Sequence, residues 1–96
     1  MKVLANDGIS AVGKAALEKD GFEVLTTFVA QDQLANFINN NQIEVLIVRS
    51  ATQVRKDLID QTNLKIIGRA GVGMDNIDVE YAQSKGLKVI NTPASS

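Results

Sequence analysis

The sequence predicts an α/β fold in which helices cover both faces of a parallel β-sheet. Two observations predict it: five short runs rich in Val, Ile and Leu recur at intervals of about 20 residues, and a segment with helical periodicity lies between each pair. Strands that alternate with helices pair in parallel through right-handed crossovers. For five strands in 96 residues we expect a single-domain, flavodoxin-like three-layer sandwich with strand order 2-1-3-4-5, rather than a closed barrel.

The predicted elements alternate strictly along the chain. Strands are predicted at residues 2–5, 22–28, 43–48, 64–67 and 87–90, and helices at residues 11–20, 31–40, 54–62 and 78–85. The third strand, IEVLIV, is nearly all apolar, as expected of a strand buried on both faces. The second helix carries Leu34, Phe37 and Ile38 at positions i, i+3 and i+4, which is the amphipathic pattern of a helix that packs on a core.

Polar residues and glycines mark the ends of these elements. Ser10 and Asp78 precede helices and can cap them. Gly21 and Gly86 follow helices, at the position where a left-handed residue commonly ends one. Residues 68–73 are predicted to form a loop, and the NTP sequence at 91–93 is predicted to break the fifth strand.

The composition narrows the possible functions. With 22% charged residues and a net charge of −1, the chain has neither the basic footprint of a nucleic-acid-binding protein nor a membrane-surface patch. No apolar run approaches the ~20 residues that span a bilayer, and no signal segment is seen, so a cytoplasmic location is expected. The chain has no Cys and no His, which excludes thiol nucleophiles and thiolate metal sites and removes the side chain best suited to proton transfer near neutral pH. Any reaction of this chain alone would need carboxylates, Lys, Tyr81 or hydroxyls, and we expect no catalytic residue and no metal site within it.

The glycine-rich sequence GRAGVG at residues 68–73 is the strongest candidate for a binding site. Ligands of open parallel sheets collect at the carboxyl ends of the strands, and successive N–H groups of a glycine loop can bind an anion there. Arg49, Ser50 and Arg69 follow or end neighbouring strands and can add hydrogen bonds to a carboxylate or phosphate. The alternative is a plain strand-to-helix turn, with Arg49 reaching into solvent.

Three other interpretations of the polar residues are weaker. Gly71 and Gly73 begin a dinucleotide fingerprint, but Asn76 takes the place of its third glycine. The acidic residues at 75, 78 and 80 are better explained as turn and helix-cap chemistry than as metal ligands. A phosphoacceptor receiver domain is excluded because Arg49 and Asn91 stand where Asp and Lys are required.

Three segments of the chain resemble the D-2-hydroxyacid dehydrogenase family. They are LIVRSAT at residues 46–52, IGRAGVGMDNID at residues 67–78 and VINTP at residues 89–93. They come in the order and at the spacing of that family, and the similarity covers essentially the whole chain. The pattern GRxGxGxDNxD is specific to the family, and RSAT favours its phosphoglycerate dehydrogenase branch.

The resemblance implies the front part of the substrate-binding domain of a larger enzyme. That parent is expected to be a homo-oligomeric oxidoreductase that oxidises the hydroxyl of 3-phosphoglycerate with NAD, in serine biosynthesis. Its NAD-binding Rossmann domain and its catalytic residues are expected outside these 96 residues. Residues 94–96 follow the fifth strand without a further helix, so we expect a truncated chain that is inactive by itself.

The resemblance also assigns roles to individual residues. Arg49 and Ser50 correspond to residues on the phosphate side of the substrate, and the loop that begins at Ala70 corresponds to the one that binds its carboxylate. The full assignment is substrate binding by Arg49, Ser50, Ala70, Gly71, Val72 and Gly73, and cofactor binding by Val72 and Asn91. Two alternatives stay open: a stand-alone flavodoxin-like module that binds a small anion, and a dehydrogenase for another D-2-hydroxy acid.

Overall fold

The computed structural model describes residues 1–9, 11–49, 51–70 and 76–92. The strands are β1 (Lys2–Ala5), β2 (Glu23–Leu25), β3 (Ile43–Val48), β4 (Ile66–Ala70) and β5 (Lys88–Thr92). The helices are α1 (Ala11–Lys19), α2 (Leu34–Asn41), α3 (Lys56–Gln61) and α4 (Val79–Ser84), and a short 3₁₀ turn (Gln31–Gln33) leads into α2.

The sheet confirms the predicted topology. All four strand pairs are parallel and the strand order is β2-β1-β3-β4-β5. In the register of the sheet, Val48 of β3 is opposite Arg69 of β4, and Arg69 is opposite Asn91 of β5. The carboxyl ends of the three strands therefore lie side by side at one edge, which we call the carboxyl edge.

The core lies on both faces of the sheet but is larger on one. Helices α2, α3 and α4 cover the face that carries Leu46, Val48 and Ile67. They pack on it with buried residues such as Leu34 and Leu58. The opposite face is built from Val3, Ala5, Val24, Val45 and Ile47 and is covered by α1 through the partly buried Leu17. Helix α1 has no fully buried residue, and Val12, at helical spacing in the sequence, is 63% exposed.

Two strands extend further than the sequence predicts. β4 runs through Arg69 and Ala70, so the first half of the predicted 68–73 loop is strand, and β5 continues through Asn91 and Thr92 instead of breaking there. Gly and Asn are poor strand formers by propensity, but β4 has a hydrogen-bonded neighbour on each side. Pairing on both sides outweighs local propensity, as is common in sheets. β2, which is an outermost strand of the sheet, is shorter than predicted.

Two helices end at glycines as predicted, but α2 and α3 begin at Leu34 and Lys56 rather than at residues 31 and 54, because a 3₁₀ turn precedes α2 and Val54 forms a bridge with Ile77. Gly21 and Gly86 have positive φ values of 93° and 85° and end α1 and α4. Asp78 lies at the N-cap of α4 but makes no side-chain cap bond there. Its carboxylate instead accepts from the backbone N–H of Lys56, the first residue of α3, and pairs with Arg55. Ser10 lies outside the described residues. No described helix combines the length and apolar character needed to cross a bilayer.

Candidate functional site at the carboxyl edge

The structure brings the predicted anion-binding residues that it describes to one edge of the sheet. Arg49 directly follows β3, Arg69 lies near the end of β4, and the backbone of Asn91 is opposite that of Arg69 in β5. Adjacent strands are ~4.8 Å apart, so these positions are neighbours. Ala70 ends β4, its backbone opposite that of Thr92. The other predicted substrate and cofactor positions, Ser50, Gly71, Val72 and Gly73, lie outside the described residues and stay predictions.

The two arginines at this edge differ in their surroundings. Arg49 is exposed, and no salt bridge in the described ranges includes its guanidinium. Arg69 is half-buried, and its Nε donates to Oδ1 of Asn76 at 3.0 Å. An exposed guanidinium such as that of Arg49 is suited to a planar anion such as a carboxylate or phosphate.

Asp7, which follows β1, holds the turn after β3. Its Oδ2 accepts from the backbone N–H of Arg49 at 2.8 Å and from that of Thr52 at 3.0 Å. Its Oδ1 accepts from the hydroxyl of Thr52 at 2.6 Å. One carboxylate therefore binds both ends of residues 49–52, which we call the Arg49 turn.

Asn6 and Thr52 connect this turn to the loop after β2. The side chain of Asn6 donates to the hydroxyl of Thr52 at 2.9 Å and exchanges two hydrogen bonds with the backbone of Val29. Asn6 and Thr52 are each only 2% exposed. Buried polar groups are costly unless they are paired, and every buried side-chain N or O atom of the described residues has a partner.

Asn76 holds the Arg49 turn from the opposite side. Its Nδ2 donates to the carbonyl oxygens of Arg49 and Thr52, each at 2.6 Å, while its Oδ1 accepts from Arg69. A short parallel bridge between Val54 and Ile77 keeps Asn76 in place: Val54 N–H donates to the Asn76 carbonyl at 2.8 Å.

Sequence reasoning missed the roles of Asp7, Thr52 and Asn76. The acidic residues near Asn76 are typical of turn and helix-cap chemistry, and nothing in the local sequence assigns a bridging role to Asp7 or Thr52. The signal that could have found them is the demand of the backbone: the N–H and C=O groups of a turn that follows a buried strand need partners. Short Asn and Asp side chains at the same edge are the natural ones.

The arrangement can bind and orient an anion but offers little for proton transfer. The chain has no His, and the carboxylate nearest to Arg49 in the described structure, that of Asp7, already accepts three hydrogen bonds. Among the described residues no three acidic, His or Cys side chains cluster closely enough for a metal ion.

Comparisons with known proteins agree with the fold. The family described as "D-isomer specific 2-hydroxyacid dehydrogenase, catalytic domain" matches residues 3–96. A hydroxypyruvate reductase of Thermotoga maritima is 48% identical over 81 residues, which are 83% of this chain and 26% of that protein. A D-3-phosphoglycerate dehydrogenase of Methanocaldococcus jannaschii is 41% identical over 97 residues, which are 100% of this chain and 18% of that protein.

A solved structure shows the same relation. The NAD⁺-bound 3-phosphoglycerate dehydrogenase of Entamoeba histolytica superimposes with a TM-score of 0.76 at 29% identity, over 97% of this chain and 33% of that one. The chain thus spans about a sixth to a third of the length of such relatives.

Proposed function

The chain belongs to the D-isomer specific 2-hydroxyacid dehydrogenase family, and we propose that it is the substrate-binding portion of an NAD-dependent oxidoreductase that oxidises the hydroxyl of 3-phosphoglycerate. The observation that carries this proposal is that the exposed Arg49 directly follows β3, next to the end of β4 that carries Arg69, at the carboxyl edge. In open α/β sheets this edge is where ligands bind.

The charge at this edge suits a substrate with two anionic groups. We propose that Arg49, with Ser50, contacts the phosphate, and that the backbone from Ala70 through Gly71 and Val72 to Gly73 contacts the carboxylate. Charge-assisted hydrogen bonds of this kind contribute roughly 1.5–3 kcal/mol each, so a few of them give selectivity for an anion over a neutral molecule.

The reaction needs groups that these residues do not supply. When bound, NAD accepts a hydride from the carbon that carries the hydroxyl, and a base takes the hydroxyl proton. The part of this chain that precedes α4 does not fit the pyrophosphate of a dinucleotide, because Asn76 stands at the third glycine position and its buried side chain binds protein carbonyls. We therefore propose that NAD and the catalytic base are held mainly by a domain outside these 96 residues, with Val72 and Asn91 at its edge.

A second candidate substrate has support of its own. The Thermotoga maritima relative is named a hydroxypyruvate reductase and is 48% identical over 81 residues. Hydroxypyruvate and its reduction product, glycerate, have the carboxylate of 3-phosphoglycerate but no phosphate. The two candidates therefore differ in whether the carboxyl edge binds one anionic group or two.

Equilibrium titration of the chain with 3-phosphoglycerate, D-glycerate and inorganic phosphate tests the proposal. We expect 3-phosphoglycerate to bind most tightly and Arg49→Gln to weaken it about ten-fold or more, because a charge-assisted bond is lost. Lys19→Gln makes the same change of charge at the C-terminal end of α1. It is the matched control and should leave the affinity unchanged. Equal affinity of the native chain and the Arg49→Gln variant would contradict the proposal, and preference for glycerate would favour the second candidate.

Two further outcomes test the alternatives. A rate assay with 3-phosphoglycerate and NAD should show no turnover by the 96-residue chain, and turnover would contradict the assignment of catalysis to another domain. Binding in the low micromolar range would favour a stand-alone anion-binding module, because half of a cleft should bind weakly.

A further inference from the structure

We infer that Asp7 and Asn76 are positioning residues that fix the Arg49 turn from two sides and so determine where Arg49 presents its guanidinium to a bound anion. This inference rests on the proposed anion site. Neither residue reaches the anion itself in this scheme. Each acts on the backbone of Arg49, one through its N–H and the other through its carbonyl.

The Asp7 side of the arrangement requires a carboxylate. Three donors converge on it, two at Oδ2 and one at Oδ1. A carboxylate accepts at both oxygens, whereas an amide has only one acceptor and presents two N–H donors on its other atom. Asn at position 7 would keep the shape but leave one of the three donors without an acceptor.

The Asn76 side requires an amide in one orientation. Arg69 Nε is a donor, so it must meet the Oδ1 atom, while the carbonyls of Arg49 and Thr52 are acceptors and must meet Nδ2. Asp could accept from Arg69 but would place an oxygen against two carbonyl oxygens. Ala would leave all three groups without this partner.

Thr52 fixes the far end of the turn. Its hydroxyl donates to Asp7 and accepts from Asn6, and its backbone N–H and carbonyl are bound by Asp7 and Asn76. The turn is therefore held at its first and its last residue, and at each of them through both the backbone N–H and the backbone carbonyl.

Asn76 also links the two arginines. It binds the backbone carbonyl of Arg49 and the guanidinium Nε of Arg69, so one side chain joins the backbone of the first arginine to the side chain of the second. A site whose groups are held before the ligand arrives loses less conformational entropy on binding. We expect that loosening either anchor weakens anion binding about five-fold, less than removal of Arg49 itself.

A double-mutant cycle with inorganic phosphate as probe tests this inference. Asp7→Asn and Asn76→Ala should each weaken phosphate binding, and neither should weaken it further in a chain that already carries Arg49→Gln, because both act through Arg49. A merely structural role would lower affinity by the same factor in both backgrounds. The matched controls are Asp20→Asn and Asn40→Ala, at exposed positions outside the site, and thermal unfolding checks that each variant is folded.

Hydrogen exchange of the native chain tests the inference without any variant. In the native chain the amide of Arg49 should exchange slowly with solvent, although the residue is exposed, because it donates to Asp7 at 2.8 Å. Exchange as fast as that of an unstructured amide would overturn the inference.

The outcomes separate this inference from the proposed function. If phosphate binds in an Arg49-dependent way, the double variants behave as expected, and 3-phosphoglycerate is not preferred, then the positioning roles stand and the proposed substrate fails. If Arg49→Gln matters but Asp7→Asn and Asn76→Ala bind phosphate like the native chain, the inference fails and the anion site stands. If Arg49→Gln changes nothing for either ligand, both fail.

Discussion

The two edges of the sheet hold their polar groups in opposite ways. At the carboxyl edge Asn6, Thr52 and Asn76 are at most 6% exposed and are joined by hydrogen bonds. At the amino edge, where the strands begin, Lys65 pairs with Glu44 at 2.9 Å while the Lys65 side chain is 64% exposed. That edge has a groove of about 570 Å³, whose lining includes Lys2, Glu23, Glu44 and Lys65.

This contrast indicates that a groove by itself is a poor guide to a binding site. The amino-edge groove offers space, but its lining mixes two basic with two acidic side chains, and none of its polar side chains is buried. The carboxyl edge offers the exposed Arg49 on a turn that the side chains of Asp7 and Asn76 fix. Ordered polar groups at the carboxyl ends of parallel strands are the stronger indication of function.

Replacing Thr52 should have the largest effect on stability. Thr52→Val removes a buried hydroxyl that both donates to Asp7 and accepts from Asn6, and we expect a loss of about 2–3 kcal/mol in the free energy of unfolding. Thr52→Ser keeps the hydroxyl and should recover most of this loss. Thr62→Val, which removes a partly buried hydroxyl bonded to a carbonyl in α3, should cost about 0.5 kcal/mol or less.

Urea denaturation of the three variants measures these differences in the free energy of unfolding. A loss for Thr52→Val no larger than that for Thr62→Val would show that the buried network contributes little, and the contrast between the edges would disappear.

A glycine at the amino edge should give the next largest effect. Gly21 lines the groove with φ at 93°, so Gly21→Ala forces a left-handed conformation and should cost about 1 kcal/mol. Gly68→Ala is the matched change inside β4, where a Cβ would lie 3.4 Å from Ile47 Cγ1, an ordinary contact, and should be nearly neutral. Thermal unfolding measures both, and a larger cost at Gly68 would contradict the packing described for the sheet.

The ion pair of the amino edge should matter less. Glu44→Gln removes the pair with Lys65, which is largely in solvent, and should change the free energy of unfolding by about 0.5 kcal/mol or less. A loss close to that of Thr52→Val would mean that the amino edge is as tightly organised as the carboxyl edge. The comparison is best made in low and high salt, because an exposed pair is screened.

The smallest effect concerns Tyr81, which belongs to neither edge. The hydroxyl of Tyr81 donates to Asp60, and this hydrogen bond is the main reason that the pKa of Tyr81 is raised above 10.0. The raised pKa favours the neutral phenol, so the associated stability is present below pH 10 and is lost as the pH rises through the pKa of the folded chain.

Asp60→Asn should therefore lower the pKa of Tyr81 towards 10.0, and Asp57→Asn, on the same helix, should leave it unchanged. Ultraviolet absorbance reports the phenolate directly, since the chain has one Tyr and no Trp. A pKa that stays raised in Asp60→Asn would assign the shift to another cause.

The sequence alone predicted the sheet well and the site only partly. β1 and β3 begin and end where the apolar runs do, because strands in the middle of a parallel sheet are buried on both faces. Arg49 and Arg69 were placed at the carboxyl edge by the same reasoning. The ends of β4 and β5 were wrong because Gly68 and Asn91 are loop-like by propensity, while their pairing with neighbouring strands is not visible in local sequence.

The network around the Arg49 turn could not be predicted from local sequence. Thr52 and Asp7 are 45 residues apart, and Asn76 is 27 residues from Arg49. Asn and Asp serve equally well as turn formers and as partners for a distant backbone. Only the strand order and register, which bring β1, β3 and β4 side by side, decide between these roles.

The central claim is that the carboxyl edge binds the anionic substrate, and backbone amide NMR during titration with 3-phosphoglycerate tests it most directly. The account predicts the largest shifts at Arg49, Thr52, Arg69, Ala70 and Asn91, and none beyond the noise at Lys2, Glu23, Asn39 and Lys65. Largest shifts in the second group would place the ligand in the amino-edge groove and contradict the account.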